Sequence, residues 1–91
     1  MSISTSFKRA INGAFAYTVF WGRSPKVVLA TLKTKAHGSN NFSVIPPIQG
    51  FTLEKIDETH DKATFGFDDY TFCGVITWKP CEDGFVFIKI E

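Results

Sequence analysis

The sequence predicts an α+β fold, in which a short N-terminal helix precedes a five- or six-stranded antiparallel sheet that is strongly curled or barrel-like. Three observations support it. Apolar residues near the N-terminus recur at helical spacing, those that follow alternate with a period of two, and ten Phe, two Tyr and two Trp give 91 residues a large apolar content. A chain of this length builds one hydrophobic core, so we expect a single small domain spanning residues 1–91.

The first element is a short amphipathic helix over about residues 3–13. Ile3, Phe7 and Ile11 recur at near-helical spacing, and polar residues occupy the other side. A serine at position 2 or 4 can cap the start, and Gly13 is expected just past the end.

The pattern then changes to period two, which predicts a first strand over residues 15–21, ended by the turn at 22–25. The β-rich segment 26–36 is expected to form the second strand and to pair with the first as a hairpin. Residues 37–41 are a turn cluster, 42–45 a short strand, and Pro46-Pro47 through Gly50 a connection, edge or corner.

The second half predicts an antiparallel meander with strands near 51–56, 62–67, 70–79 and 85–91. Assigning faces by parity collects most aromatic residues on one face of these strands and of the first strand. One short helix cannot cover that face, so the sheet must curl around it, dimerise, or leave aromatic side chains for a ligand. Curling places most of the rings in the core. The candidate binding anchors are Trp21, Tyr70 and Trp78.

Charge is divided between the two halves of the chain. Residues 1–53 carry six Lys and Arg and no acid, whereas residues 54–91 carry nine acids against four Lys, a formal −5. Such asymmetry bears on partners and not on fold. A candidate basic track for phosphates consists of Arg23, Lys26, Lys33 and Lys35, and the alternative is that these cations solubilise an edge strand.

The acidic residues of alternate turns are expected to gather at one rim, because alternate turns of a meander share an end of the sheet. This predicted acidic rim consists of Asp57, Glu58, Asp61, Glu82 and Asp83, beside His60. It suits a basic protein partner or a hard cation, and the alternative is a set of ordinary solvated turn residues. The EF-hand spacing of Asp residues is absent, so we predict no metal site.

No catalytic or cofactor motif is present, and we expect a protein that is not an enzyme and binds no cofactor. Cys73 and Cys81 form neither a disulfide framework nor a zinc pattern, which favours two reduced thiols in a cytoplasmic protein. Only four residues separate Arg9 from the small-x-small triplet at Ala14, too few for a signal peptide. No apolar run reaches the length of a membrane-spanning helix, so we expect no membrane association.

Two functional hypotheses follow. The first is a small intracellular protein-interaction module, an adaptor or an inhibitor, whose bipolar charge is also compatible with association of its own copies. The second is a nucleic-acid-binding β-domain that uses the basic half and the sheet aromatics. Phe65-Gly66-Phe67 and Phe85-Val86-Phe87 are similar to the base-stacking platforms of cold-shock and RNA-recognition domains. The chain has Ala63-Thr64 where those families favour Lys-Gly or Arg-Gly, so membership is not inferred.

Overall fold

The computed structural model describes residues 3–38, 48–67 and 69–91. The elements in chain order are α1 (Ile3–Phe15), β1 (Val19–Phe20), α2 (Pro25–Gly38), β2 (Ile48–Lys55), β3 (His60–Phe67), β4 (Tyr70–Cys81) and β5 (Gly84–Ile90). The five strands form one antiparallel sheet in the order β1-β5-β4-β3-β2, curled into a half-barrel. The predicted fold class is confirmed, with a second helix where a strand was expected.

Helix α1 agrees with the prediction and extends two residues beyond it, to Phe15. Gly13 lies inside the helix and not past its end. The chain leaves the helix at Tyr17, whose φ of 65° lies in the left-handed region, and Thr18 N–H donates to the Phe15 carbonyl over 2.8 Å. The Asn12 side chain fixes α1 to β5, because its Oδ1 accepts from the Ile90 N–H at 2.8 Å.

Residues 26–36 form most of helix α2, so their assignment to a strand is wrong. Ser24 caps the helix, since the Val27 N–H donates to the Ser24 Oγ at 3.3 Å, and Pro25 occupies the first helical position, where proline is favoured. Val28 and Leu32, four residues apart on one helix face, are buried in the core. Packing of this face outweighs the β propensity of Val27, Val28 and Thr31.

The hairpin predicted between the first strand and residues 26–36 is also wrong. The first strand is only Val19–Phe20, and it pairs with β5 at the far end of the chain, Val19 opposite Val86 and Phe20 opposite Phe85. The meander β2 to β5 confirms the four strands predicted in the second half. Ile48–Gly50 opens β2 at the other sheet edge, while residues 39–47, with the predicted turn and short strand, lie outside the described residues.

Both helices contribute to one core on the inner face of the curled sheet. α1 packs against β5 and α2 against β2. Seven of the aromatic residues that parity assigned to one face are buried there: Phe15, Phe51, Phe65, Phe67, Phe72, Trp78 and Phe87. Phe15, Phe20, Trp78 and Phe87 meet edge to face with ring centroids 5.3–5.9 Å apart. The core therefore lies on one side of the sheet, and the other side is its outer face.

Candidate functional site

Large apolar side chains are exposed where β1 lies beside β5. Tyr17 is 94% exposed, Trp21 87%, Val19 50% and Ile88 47%. Val19 and Trp21 flank the buried Phe20 and so occupy the outer face of the sheet. We call Tyr17, Val19, Trp21 and Ile88 the edge ridge. Single exposed apolar residues are common on proteins, whereas four exposed apolar side chains, two of them aromatic, on and beside one strand pair are typical of an interaction site.

Two local features determine how the edge ridge lies against β5. The register of β4 and β5 places Phe87 opposite Trp78 and Lys89 opposite Thr77, so Ile88 is the extra residue of a β-bulge and turns outward. Gly84 lets the end of β1 approach β5 closely. A Cβ at position 84 would lie 1.9 Å from the Phe20 carbonyl oxygen and 3.1 Å from the Trp21 Cα. The ridge thus depends on a glycine that brings Trp21 next to the β4–β5 turn.

The open side of β1 presents backbone hydrogen-bonding groups. The Phe87 N–H donates to the Thr18 carbonyl at 3.3 Å, which makes Val19 and Val86 a non-hydrogen-bonded pair of the antiparallel ladder. The N–H and C=O of Val19 therefore point away from β5. Among the described strands none lies on that side of β1. The edge ridge is consequently bordered by an open strand edge.

Four of the five residues of the predicted acidic rim are exposed. Glu82 and Asp83 form the β4–β5 turn, directly before Gly84 and hence beside Trp21. Asp57 and Glu58 lie in the β2–β3 turn, at the same end of the sheet. Glu58 pairs with Lys55 at 3.2 Å and Asp57 with His60 at 2.8 Å. One pole of the domain thus combines exposed carboxylates with the exposed indole.

Asp61 is not part of that rim, so its assignment to the acidic rim is wrong. It is 3% exposed and lies beneath the β2–β3 turn, where it forms an ion pair with Arg23. The Arg23 Nε donates to Asp61 Oδ2 at 2.7 Å, Arg23 Nη2 donates to Asp61 Oδ1, and the indole Nε1 of Trp78 donates to Asp61 Oδ2 at 2.9 Å. The guanidinium also donates to three carbonyl oxygens, those of Asp57, Glu58 and His60.

This network joins the chain before α2 to the β2–β3 turn and to β4. The hydrogen bond to Asp61 raises the pKa of Arg23, although burial opposes the shift. The ring of Phe85 lies 5.5 Å from the guanidinium carbon. Because its donors are directed at Asp61 and at backbone carbonyls, Arg23 serves the fold and is not exposed to a phosphate.

Of the predicted basic track, Arg23 precedes helix α2, and the three lysines lie on that helix and not on a strand. Arg23 is engaged with Asp61, and Lys26 is exposed in the first turn of α2. The backbone at Lys33 and Lys35 is helical, and positions two apart on a helix do not face the same way, whereas on the predicted strand they would. Lys33 and Lys35 therefore do not share a strand face.

The three candidate anchors have different positions. Trp21 belongs to the edge ridge. Tyr70 is 57% exposed and opens β4 at the opposite end of the sheet. Trp78 is 1% exposed and bonded to Asp61, so its assignment as an exposed anchor is wrong. Tyr17, Val19 and Ile88 are exposed residues that the sequence pattern did not indicate. No local pattern signals that β1 lies at the edge of the sheet formed by the described strands.

A cleft of about 320 Å³ lies beside the Arg23 network. Its lining consists of Arg23, Leu53, Lys55, Glu58, Asp61 and Phe85. The four charged residues form two ion pairs, Arg23 with Asp61 and Lys55 with Glu58. Among the described side chains, no three His, Cys, Asp or Glu residues are grouped as metal ligands. The cleft is thus lined by paired charges, and the edge ridge is the stronger candidate site.

The contribution of Asp57 to the stability of the fold depends on pH. The Thr59 N–H and the His60 side chain donate to its carboxylate and lower the pKa of Asp57 to about 2. The carboxylate favours the folded state fully above the unfolded value of about 3.9, and this contribution is lost as the pH falls through about 2. We expect the wild type to be more stable than Asp57→Ala at pH 6, and the difference between their urea midpoints to shrink between pH 4 and pH 2. A difference that stays constant over that range would contradict this role.

Neither described helix is long and apolar enough to cross a membrane. No protein-family model, curated protein or solved structure matches this chain.

Proposed function

We propose that this protein is a protein-interaction module, an adaptor or an inhibitor of a larger protein, and that it docks through the edge ridge. The observation that carries the proposal is the exposure of Tyr17 and Trp21, which flank a short edge strand. Trp and Tyr are enriched among the residues that dominate binding energy at protein interfaces. The role assigned to the domain is binding and not catalysis.

The size of the ridge fits the centre of an interface. Each covered Trp or Tyr buries about 150–250 Å², and a standard interface buries about 800 Å² per partner. The two rings of the ridge therefore supply about half of one side, with Val19 and Ile88 adding to it. The surrounding polar strand residues and the acidic turns would form the rim, where charge contributes to orientation and to association rate more than to affinity.

A nucleic-acid partner has less support. Exposed rings suit base stacking, but binding to a backbone needs cations that release counterions from phosphates. Trp21 lies beside the Glu82-Asp83 turn, and Arg23, two residues further along the chain, is paired with Asp61. Negative charge beside the exposed indole disfavours a phosphate backbone.

A cytoplasmic location forms part of the proposal. Both cysteines are exposed free thiols. Exposed thiols persist where glutathione and thioredoxin keep them reduced, and in an oxidising compartment they would pair with other thiols.

Replacing Trp21 with alanine is the test of the docking surface. The tagged wild type, Trp21→Ala and Tyr70→Ala are used to capture proteins from a lysate of the cells that express this chain. Because an interface tryptophan contributes about 2–4 kcal/mol, Trp21→Ala should reduce binding of a specific partner by about 30-fold or more. Tyr70→Ala removes an exposed ring at the opposite end of the sheet and should retain the partner.

The same experiment can refute the proposal. If the three proteins capture the same set in the same amounts, the edge ridge is not a docking surface. If Tyr70→Ala alone loses the partner, the site lies at the other end of the sheet. Circular dichroism of each variant shows whether its fold is intact, which is expected because both side chains are exposed.

A further inference from the structure

The edge ridge combines three features that together describe one kind of occupant. The N–H and C=O of Val19 point away from β5 and offer a ladder on which another strand can form hydrogen bonds. The side chains of Val19 and Trp21 line the outer face beside that ladder. Edge strands are normally protected by Lys, Pro or a covering segment, and residues 17–21 contain neither Lys nor Pro.

The charges around the ridge are distributed unevenly. Beyond Trp21 lie the exposed carboxylates of Glu82 and Asp83, in the turn that precedes Gly84. Lys79 lies on β4 opposite Val86, and Lys89 lies on β5 and is paired with Glu91 at 2.8 Å. A strand added along β1 therefore runs, at its Trp21 end, toward the end of the sheet that carries the exposed carboxylates of Glu82 and Asp83. The exposed indole there also favours a cation.

We propose that the partner contributes an extended, lysine- or arginine-rich segment that adds to the sheet alongside β1; the proposal rests on the function proposed above. Main-chain hydrogen bonds to Val19 give the segment its register. Its apolar residues, at every second position, cover the edge ridge, and its basic residue lies between Trp21 and the Glu82-Asp83 turn. This is strand addition, a recognised mode of peptide binding, with the acidic turn selecting for charge.

A helix and a second copy of this chain are the two other occupants of such an edge, and each fits the described features less well. A helix would present apolar residues at spacings of three and four and would leave the Val19 N–H without a partner. A second copy of this chain would pair β1 with itself about a two-fold axis, and the strand that it adds, residues 17–21, carries no Lys or Arg. Strand addition by a basic segment uses both the open ladder and the carboxylates.

A library of random dodecapeptides displayed on phage, selected on the full chain and depleted on Trp21→Ala, tests the inference without the partner itself. We expect the enriched peptides to carry net positive charge and apolar residues at every second position. By fluorescence anisotropy, the best peptide should bind the double variant Glu82→Lys, Asp83→Lys at least about tenfold more weakly, a change of about 1.4 kcal/mol. Asp69→Lys, in the turn at the opposite end of the sheet, is the matched control and should change the affinity by less than about twofold.

A second readout reports the strand itself. Hydrogen exchange of the Val19 amide, measured by NMR, should slow by about tenfold or more when the peptide is saturating, because the amide then donates to the added strand. The inference is overturned if the enriched peptides are acidic, if their apolar residues have helical spacing, or if enrichment does not depend on Trp21. It is also overturned if the exchange rate of the Val19 amide does not change. A concentration-dependent dimer that Trp21→Ala abolishes would overturn it in favour of a second copy. If any of these results is found while a protein is still captured from a lysate in a Trp21-dependent way, the proposed function is retained. Only the inference of strand addition is then rejected.

Discussion

Asp61→Ala is expected to lower the free energy of unfolding by about 3–5 kcal/mol, the cost of removing one partner of a buried ion pair. The Arg23 and Asp61 side chains are 11% and 4% exposed, so water cannot replace the lost carboxylate efficiently. The variant leaves the guanidinium without a counterion and the Trp78 indole N–H without its acceptor. Small domains have a total stability of about 5–15 kcal/mol, so this single change brings the fold close to unfolding at 25 °C.

Urea denaturation followed by circular dichroism measures this loss. Asp69→Ala is the matched control, since it removes an exposed turn carboxylate and should change stability by less than about 0.5 kcal/mol. The double variant Arg23→Met, Asp61→Leu should be more stable than Asp61→Ala, because apolar residues of similar size remove both buried charges together. If Asp61→Ala and Asp69→Ala have the same stability, the ion pair does not contribute to the fold as described.

Gly84→Ala is expected to cost about 2–4 kcal/mol, through a strained backbone and a collision with β1. The φ of Gly84 is 144°, which residues with a Cβ rarely adopt, and the new methyl group would overlap the Phe20 carbonyl oxygen. Phe20 is part of the aromatic core, so movement of β1 also disturbs its contacts with Phe15 and Trp78. Thermal unfolding and the near-ultraviolet circular dichroism of the aromatic residues measure both effects.

Gly66→Ala is the control for that substitution. Gly66 lies within β3, where a Cβ would meet the Gln49 carbonyl oxygen at 3.5 Å, an ordinary contact distance. Replacing glycine by alanine at such a position changes stability by less than about 1 kcal/mol and in the favourable direction where no strain arises. Equal stability of Gly84→Ala and Gly66→Ala would mean that β1 does not lie against Gly84. The position of the edge ridge beside the β4–β5 turn would then be wrong.

The sequence predicts the second half of the fold well, because buried residues alternate with half-buried or exposed ones over residues 60–67 and 71–79 of strands β3 and β4. It fails at residues 26–36, where β-branched residues suggested a strand. The competing signal was present in Ser24-Pro25, a typical helix start, and in the spacing of Val28 and Leu32. The pairing of β1 with β5 joins residues more than 60 positions apart, and no local pattern specifies such a partner.

The site is only partly predictable for similar reasons. The sequence pattern predicts Trp21 as a candidate anchor and predicts that the turn carboxylates are exposed. The exposure of Trp21 itself depends on the sheet topology, which puts β1 at an edge. Asp61 was assigned to the rim by residue type, although it shares parity with the inward-facing Phe65 and Phe67. Parity would have placed it in the core, and a buried carboxylate requires a buried cation, which Arg23 supplies.

The most direct test of the central claim is the ratio of partner retained by Trp21→Ala to that retained by Tyr70→Ala in the capture experiment. Both variants remove one exposed ring, and the two rings lie at opposite ends of the sheet. An edge ridge that docks a protein predicts a ratio below about 0.1, as expected for the loss of a dominant interface residue. A ratio near one would contradict the account.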